Sequence, residues 1–139
     1  MDQVSRRRDA LPMLVGRPLI ALLFVHSGRR VLADPTGPTA KLLDFAGSRP
    51  LAPSAARLLV RLNAAIMVIA GGALGFGVAP RAAAWVLLLA LQPTNVVGHD
   101  FWARTDPNDR SKELGAFITN LAVTGGLVTA ASRRRRRTP

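Results

Sequence analysis

Two histidines, no cysteine and a short set of amides and carboxylates bound the chemistry open to this chain. Without a thiol, thiolate catalysis, disulfide relay and Cys-ligated metal are excluded for the chain on its own. His26 and His99 with the adjacent carboxylate of Asp100 do not have the spacing of a metal site, so no metal centre is expected. No nucleophile stands beside a base, so no catalytic residue is expected either. What remains is hydrogen bonding and proton transfer, for which His99 is suited. On a helix Gln92, Asn95, His99 and Trp102 follow the alternating three-and-four step that keeps side chains on one face, and Trp85 and Leu88 continue that stripe backwards. The face is polar near one end only.

The elements that must position these residues are apolar and long. The chain has 139 residues, 49% of them hydrophobic, with a formal net charge of +11, and its mean hydropathy is +0.22. Four apolar runs, 11–31, 62–78, 82–98 and 114–131, each approach the roughly 20 residues that cross a hydrocarbon layer. The expected fold is an all-α membrane protein, a four-transmembrane-helix bundle with both termini cytoplasmic. A tail at 1–10 precedes a membrane domain at 11–132, with helices at about 11–31, 58–78, 82–100 and 113–131, and a basic tail follows at 133–139. Arg17 and Pro18 make the first run the weakest, and Arg6 to Arg8 before an apolar stretch give a cleavable signal peptide as the competing reading.

Arginine sets the orientation. Arg6, Arg7 and Arg8 lie in one tail and Arg133 to Arg137 in the other, and the positive-inside rule assigns both to the cytoplasm. Asp34, Asp44, Asp100, Asp106, Asp109 and Glu113 fall in the loops assigned outside. The charge does not point to nucleic acid, because no recognition motif accompanies it. A basic cluster beside a membrane fixes topology and attracts anionic lipid.

Between the spans, the 34–38 stretch Asp-Pro-Thr-Gly-Pro is a stop. A short helix is expected within 39–53, lying on the surface or folding over the bundle. Ser54 is the expected N-cap of the second span. Gly71 and Gly75 form a GxxxG pattern, and Gly125 and Gly126 a second small-residue step, for helix packing or for a homo-oligomer. Pro93 is expected to kink the third span and free a carbonyl one turn back. Pro107 and Asn108 are read as loop.

With the spans in their directions, His26, Arg61, Asn63, Asn95, His99 and Glu113 gather at the outer ends, with Gln92 and Asn120 deeper. Such groups are costly in hydrocarbon unless they meet each other or water. An outward-opening polar cavity is expected, with His26, Arg61, Asn63, Gln92, Asn95, His99, Asp100 and Asn120 as ligand-binding candidates and Asp100 or Glu113 as counter-charge to Arg61. The same residues can equally serve only as interhelical hydrogen bonds. Phe101 and Trp102 are read as interfacial anchors, with His99 as a polar end-cap.

The chain resembles the DoxX family of small four-helix membrane proteins, its actinobacterial branch most of all. The resemblance rests on Gly16-Arg17, Phe24, Ser27-Gly28 and Asp34-Pro35 in the first span, and on Arg61-Leu62-Asn63-Ala64-Ala65, Gly75 and Pro80-Arg81-Ala82. It continues through Pro93-Thr94, Gly98-His99, Phe101-Trp102, Asp106-Pro107, Arg110, Asn120-Leu121 and Gly125-Gly126. Relatives often carry lysine where Thr119 stands, a carboxylate near Val68 and acids at Ala103-Arg104, so a proton or redox path using those charges does not carry over. The resemblance implies a multi-pass plasma-membrane subunit, a non-catalytic platform in a membrane-associated oxidoreductase or oxidative-stress complex. Superoxide dismutase and a sulfurtransferase are the partners it implies. No resident cofactor is expected, with quinone the alternative, and the polar residues at the outer ends give a second reading: an outward-facing site for quinone, lipid or a small solute, redox-linked or transporter-like.

Overall fold

Proline, glycine and aspartate set the element boundaries in the computed structural model, which describes residues 2–99 and 105–132, with side chains from residue 15 onward. Among the described residues every regular element is helical. Helix α1, Asp2–Ala33, includes most of the tail that was expected to fray. It stops at Asp34, whose N–H bonds the Arg30 carbonyl at 3.0 Å, because Pro35 cannot continue the ladder. The Asp34 carboxylate then accepts the Thr36 N–H at 3.0 Å and opens α2, Thr36–Ala46. Hydrogen bonds from Thr36, side chain first and backbone second, hold the Asp34 carboxyl below its ordinary value.

Helix α3 spans Pro53–Gly75, with Ala52 rather than Ser54 at its N-cap. Pro53 is the reason: its fixed φ suits the first helical position, where its missing N–H would be unpaired anyway. The helix ends short of the expected residue 78. Gly77, at φ +73, lets the Val78 N–H bond back to the Ala73 carbonyl at 2.8 Å while its own N–H reaches Leu74 at 3.2 Å, which closes the helix as a Schellman turn. Ala79 follows at φ 42 and ψ 51.

Helix α4, Pro80–Pro93, does not kink at Pro93 and go on. It passes into a π-helical turn, Thr94–Gly98, since Pro93 has no N–H for the carbonyl four residues back. Helix α5, Pro107–Ser132, starts well before the expected residue 113. Asp106 caps it by accepting the N–H groups of Asn108 at 2.8 Å and Asp109 at 3.0 Å, with Pro107 at the first position.

The long helices pack antiparallel in sequence. α1 lies chiefly on α3, α3 on α4, and α4 on α5, with a smaller contact between α1 and α5. A Cβ placed at Gly28 would meet Ala64 O at 2.7 Å and Val68 at 2.8 Å, and one at Gly75 would meet Ala21 at 2.9 Å. The rising number on α1 against the falling number on α3 gives the antiparallel sense. Gly71 and Gly126 also pack closely, on Phe24 and Ile20, whereas Gly72 and Gly125 face open space. Phe24, Met67, Leu74, Leu87, Leu91 and Leu127 form the core. At one end Arg81 Nε donates to the Ala131 carbonyl at 3.0 Å, satisfying a terminal acceptor of α5.

The exterior is apolar. Leu19, Leu22, Leu58, Leu62, Ile69, Trp85, Leu89, Ile118 and Leu121 are all exposed, far more than an aqueous surface normally carries. α3 and α5 are each long and apolar enough to cross a membrane. α4 has 14 residues, about 21 Å at the helical rise, and falls short without its π turn. Hydroxyls on α5 are satisfied locally: Thr119, Thr124 and Thr129 each donate to the carbonyl four residues back at 2.9 Å, as expected in a medium with no water.

Candidate functional site

Glu113 and Asn120 are seven residues apart on α5, two turns, and so share one face about 10 Å apart along the axis. The π turn delivers His99 into that interval. Its Nδ1 lies 2.9 Å from Glu113 Oε2 and its Nε2 lies 3.0 Å from Asn120 Nδ2. A carboxylate only accepts, so Nδ1 carries the proton; an amide NH₂ only donates, so Nε2 offers its lone pair. The partners thereby fix one neutral tautomer, and both ring nitrogens are occupied.

Lys41 completes the cluster from α2. Its Nζ donates to Glu113 Oε1 at 3.0 Å and to the Gly98 carbonyl at 2.5 Å. The second contact serves an acceptor at the end of the π turn, where a cation is favoured. Side-chain exposures of 36% for Lys41, 23% for Glu113 and 17% for His99 place the cluster at the edge of the bundle rather than in its middle. Its charges balance, one ammonium against one carboxylate. Chemically it is a clasp that ties α2, the π turn and α5 together, with a proton held on a defined imidazole nitrogen.

Of the eight residues expected to line a polar cavity, His99 and Asn120 are brought together. Gln92 is exposed and bonds its own helix through the Leu88 carbonyl at 2.9 Å. Asn63 points its amide at Met67 Sδ, 3.8 Å away. Asn95 is buried at 9% exposure, and its Oδ1 has no partner among the described residues. His26 and Arg61 are exposed and join no polar contact among the described residues. Asp100, Phe101 and Trp102 lie outside the described residues. Glu113 is therefore the counter-charge of Lys41, not of Arg61.

Lys41 was missing from the expected set, and Glu113 was expected only as a counter-charge to Arg61, not as a partner of His99. A signal for Glu113 was available, since it stands two turns from Asn120. None marked Lys41, whose partners lie 57 and 72 residues away in the chain. The described residues hold no group of three or more His, Cys, Asp or Glu able to bind a metal ion.

No curated protein and no solved structure matches the chain. A family model does: DoxX, over residues 12–100. That match runs from α1 through the π turn, so it includes Lys41 and the His99 end of the clasp, and it agrees with a helical bundle whose surface is apolar. The chain is a membrane protein of the DoxX family.

Proposed function

We propose that this DoxX-family membrane protein is a multi-pass subunit of the plasma membrane that acts as a non-catalytic platform in a membrane-associated oxidoreductase or oxidative-stress complex. Four spans cross the bilayer, α1, α3, α4 with its π turn, and α5. Both tails are cytoplasmic and the clasp faces outward. The antiparallel order of the helices supports this arrangement, as does the distribution of arginine between the tails and of acids in the outer loops. Redox enzymes such as superoxide dismutase and a sulfurtransferase are the expected partners, consistent with a chain that has no cysteine to do thiol chemistry itself.

The observation that carries the platform reading is the saturation of the clasp. Lys41, Glu113, His99 and Asn120 use one another, leaving no imidazole nitrogen free to act on a substrate. Purification from membranes in mild detergent, with identification of everything retained, tests it. Redox enzymes should accompany the chain; their repeated absence would refute the platform.

One observation favours a second reading, a site for quinone, lipid or a small solute near the π turn. Asn95 Oδ1, without a partner among the described residues, is a buried acceptor, and such groups are costly unless a donor reaches them. A hydroxyl or amide of a bound molecule would serve. The discriminating variant is Asn95→Leu, which should leave partner proteins bound under the first reading and abolish a co-purifying small molecule under the second.

A further inference from the structure

The groove between α1 and α3 that faces away from α4 and α5 is apolar along its length and cationic at one end. Its sidedness follows from the packing. Close approaches at Gly28, Gly71 and Gly75 fix which stripe of each helix faces the other. Stepping about 100° per residue from those stripes puts Leu22 and Arg29 on one flank of α1 and Arg61, Ala65 and Ile69 on one flank of α3. In an antiparallel pair those two flanks border the same groove. The opposite flanks are taken, by Ile20 against Gly126 of α5 and by Met67, Ala70 and Leu74 in the core. The open groove accordingly leaves Leu22 at 66% and Ile69 at 73% exposure.

Arg29 and Arg61 are exposed at its outer end, and among the described residues neither makes an ion pair. Asp34, at the end of α1, is engaged by Thr36 and acted on by Arg57. Gly28 packs between the levels of Ala64 and Val68, which sets Arg29 roughly one turn, about 6 Å, deeper than Arg61. That gap is within reach of two long side chains. A guanidinium facing lipid is costly unless an anion meets it, and its planar fork matches phosphate oxygens in pairs.

We propose that this groove binds an anionic phospholipid, its headgroup phosphate held by Arg29 and Arg61 and an acyl chain laid along Leu22, Ala65 and Ile69. The proposal rests on the membrane reading of the bundle and assigns a lipid class and a position to one face of it. Charge complementarity names the headgroup, and the exposed aliphatic floor names the chain.

The full chain in mild detergent, titrated with phosphatidylglycerol, with phosphatidylcholine of the same acyl chains, or with inorganic phosphate, and read by native mass spectrometry, tests the site. One phosphatidylglycerol should be retained, displaced neither by phosphatidylcholine nor by inorganic phosphate. R29Q/R61Q should weaken retention roughly 30-fold, from the attraction of two surface arginines for anionic lipid. R133Q/R134Q/R135Q/R136Q/R137Q should leave that one lipid bound. Equal retention by R29Q/R61Q and wild type, equal binding of phosphatidylcholine, displacement by inorganic phosphate, or loss in the tail variant would each overturn the proposal. A chain that stays monomeric in water without detergent would instead overturn the membrane reading beneath it.

Discussion

Replacing Glu113 by alanine removes the group on which the clasp is built. Two donors lose their acceptor, Lys41 Nζ at 3.0 Å and His99 Nδ1 at 2.9 Å. A hydrogen bond to a charged group is worth about 1.5–3 kcal/mol, which would give an upper figure of roughly 3–6 kcal/mol for two. The partial exposure of all three side chains lowers that, because a solvent-screened ion pair contributes only about 0–1 kcal/mol. The expected loss is therefore about 2–3 kcal/mol. Glu113→Gln keeps a neutral acceptor and should lose about half as much. Equilibrium unfolding in mixed micelles measures both, and a double-mutant cycle with Lys41→Met should return a coupling of about 1 kcal/mol. If Glu113→Ala unfolds within ~0.5 kcal/mol of wild type, the clasp does not hold α2, the π turn and α5 together.

Gly28→Ala places a methyl 2.7 Å from the Ala64 carbonyl oxygen and should cost about 1–3 kcal/mol by overpacking, whereas Gly72→Ala, which faces open space, should be neutral or slightly stabilising in the same unfolding assay. Ala79→Gly relieves a left-handed backbone at φ 42 and should stabilise by roughly 1 kcal/mol, seen as a higher midpoint. Asp34→Ala removes the acceptor of the Thr36 N–H and should speed amide exchange in the first turn of α2. Because hydrogen bonds from Thr36 hold the folded Asp34 carboxyl below its ordinary value, its contribution is fully present above that ordinary value and is lost as pH falls through the lower folded one. The difference between wild type and Asp34→Ala in α2 exchange should therefore shrink under acid and persist at neutral pH.

The helical class, the position of most of the helices and half of the clasp were legible in the sequence, because apolar run length and helical spacing are local signals. His99 and Asn120 announced themselves as polar residues on apolar faces. The pairing of Glu113 did not, since Arg61 and Lys41 are both cations within plausible depth and only packing chooses between them. α2 was expected as a short helix without a task; its role depends on one lysine reaching across two other elements. At Pro93 the chemistry was read correctly as a missing N–H, but the backbone answered with a π turn, which moves His99 into place between Glu113 and Asn120. Gly28, the tightest glycine contact of the bundle, sits outside any GxxxG pair, so no spacing marked it as a packing position.

The chain contains no cysteine, which makes single-cysteine labelling a direct test of how the bundle sits in its membrane. Cysteine substituted for Ser48, after α2, should react in intact cells with a membrane-impermeant maleimide, whereas cysteine substituted for Ala79 or Ser132 should react only after permeabilisation. Labelling of Ala79→Cys or Ser132→Cys in intact cells, with Ser48→Cys protected, would contradict the orientation, and full reaction of all three without a membrane barrier would contradict the spans themselves.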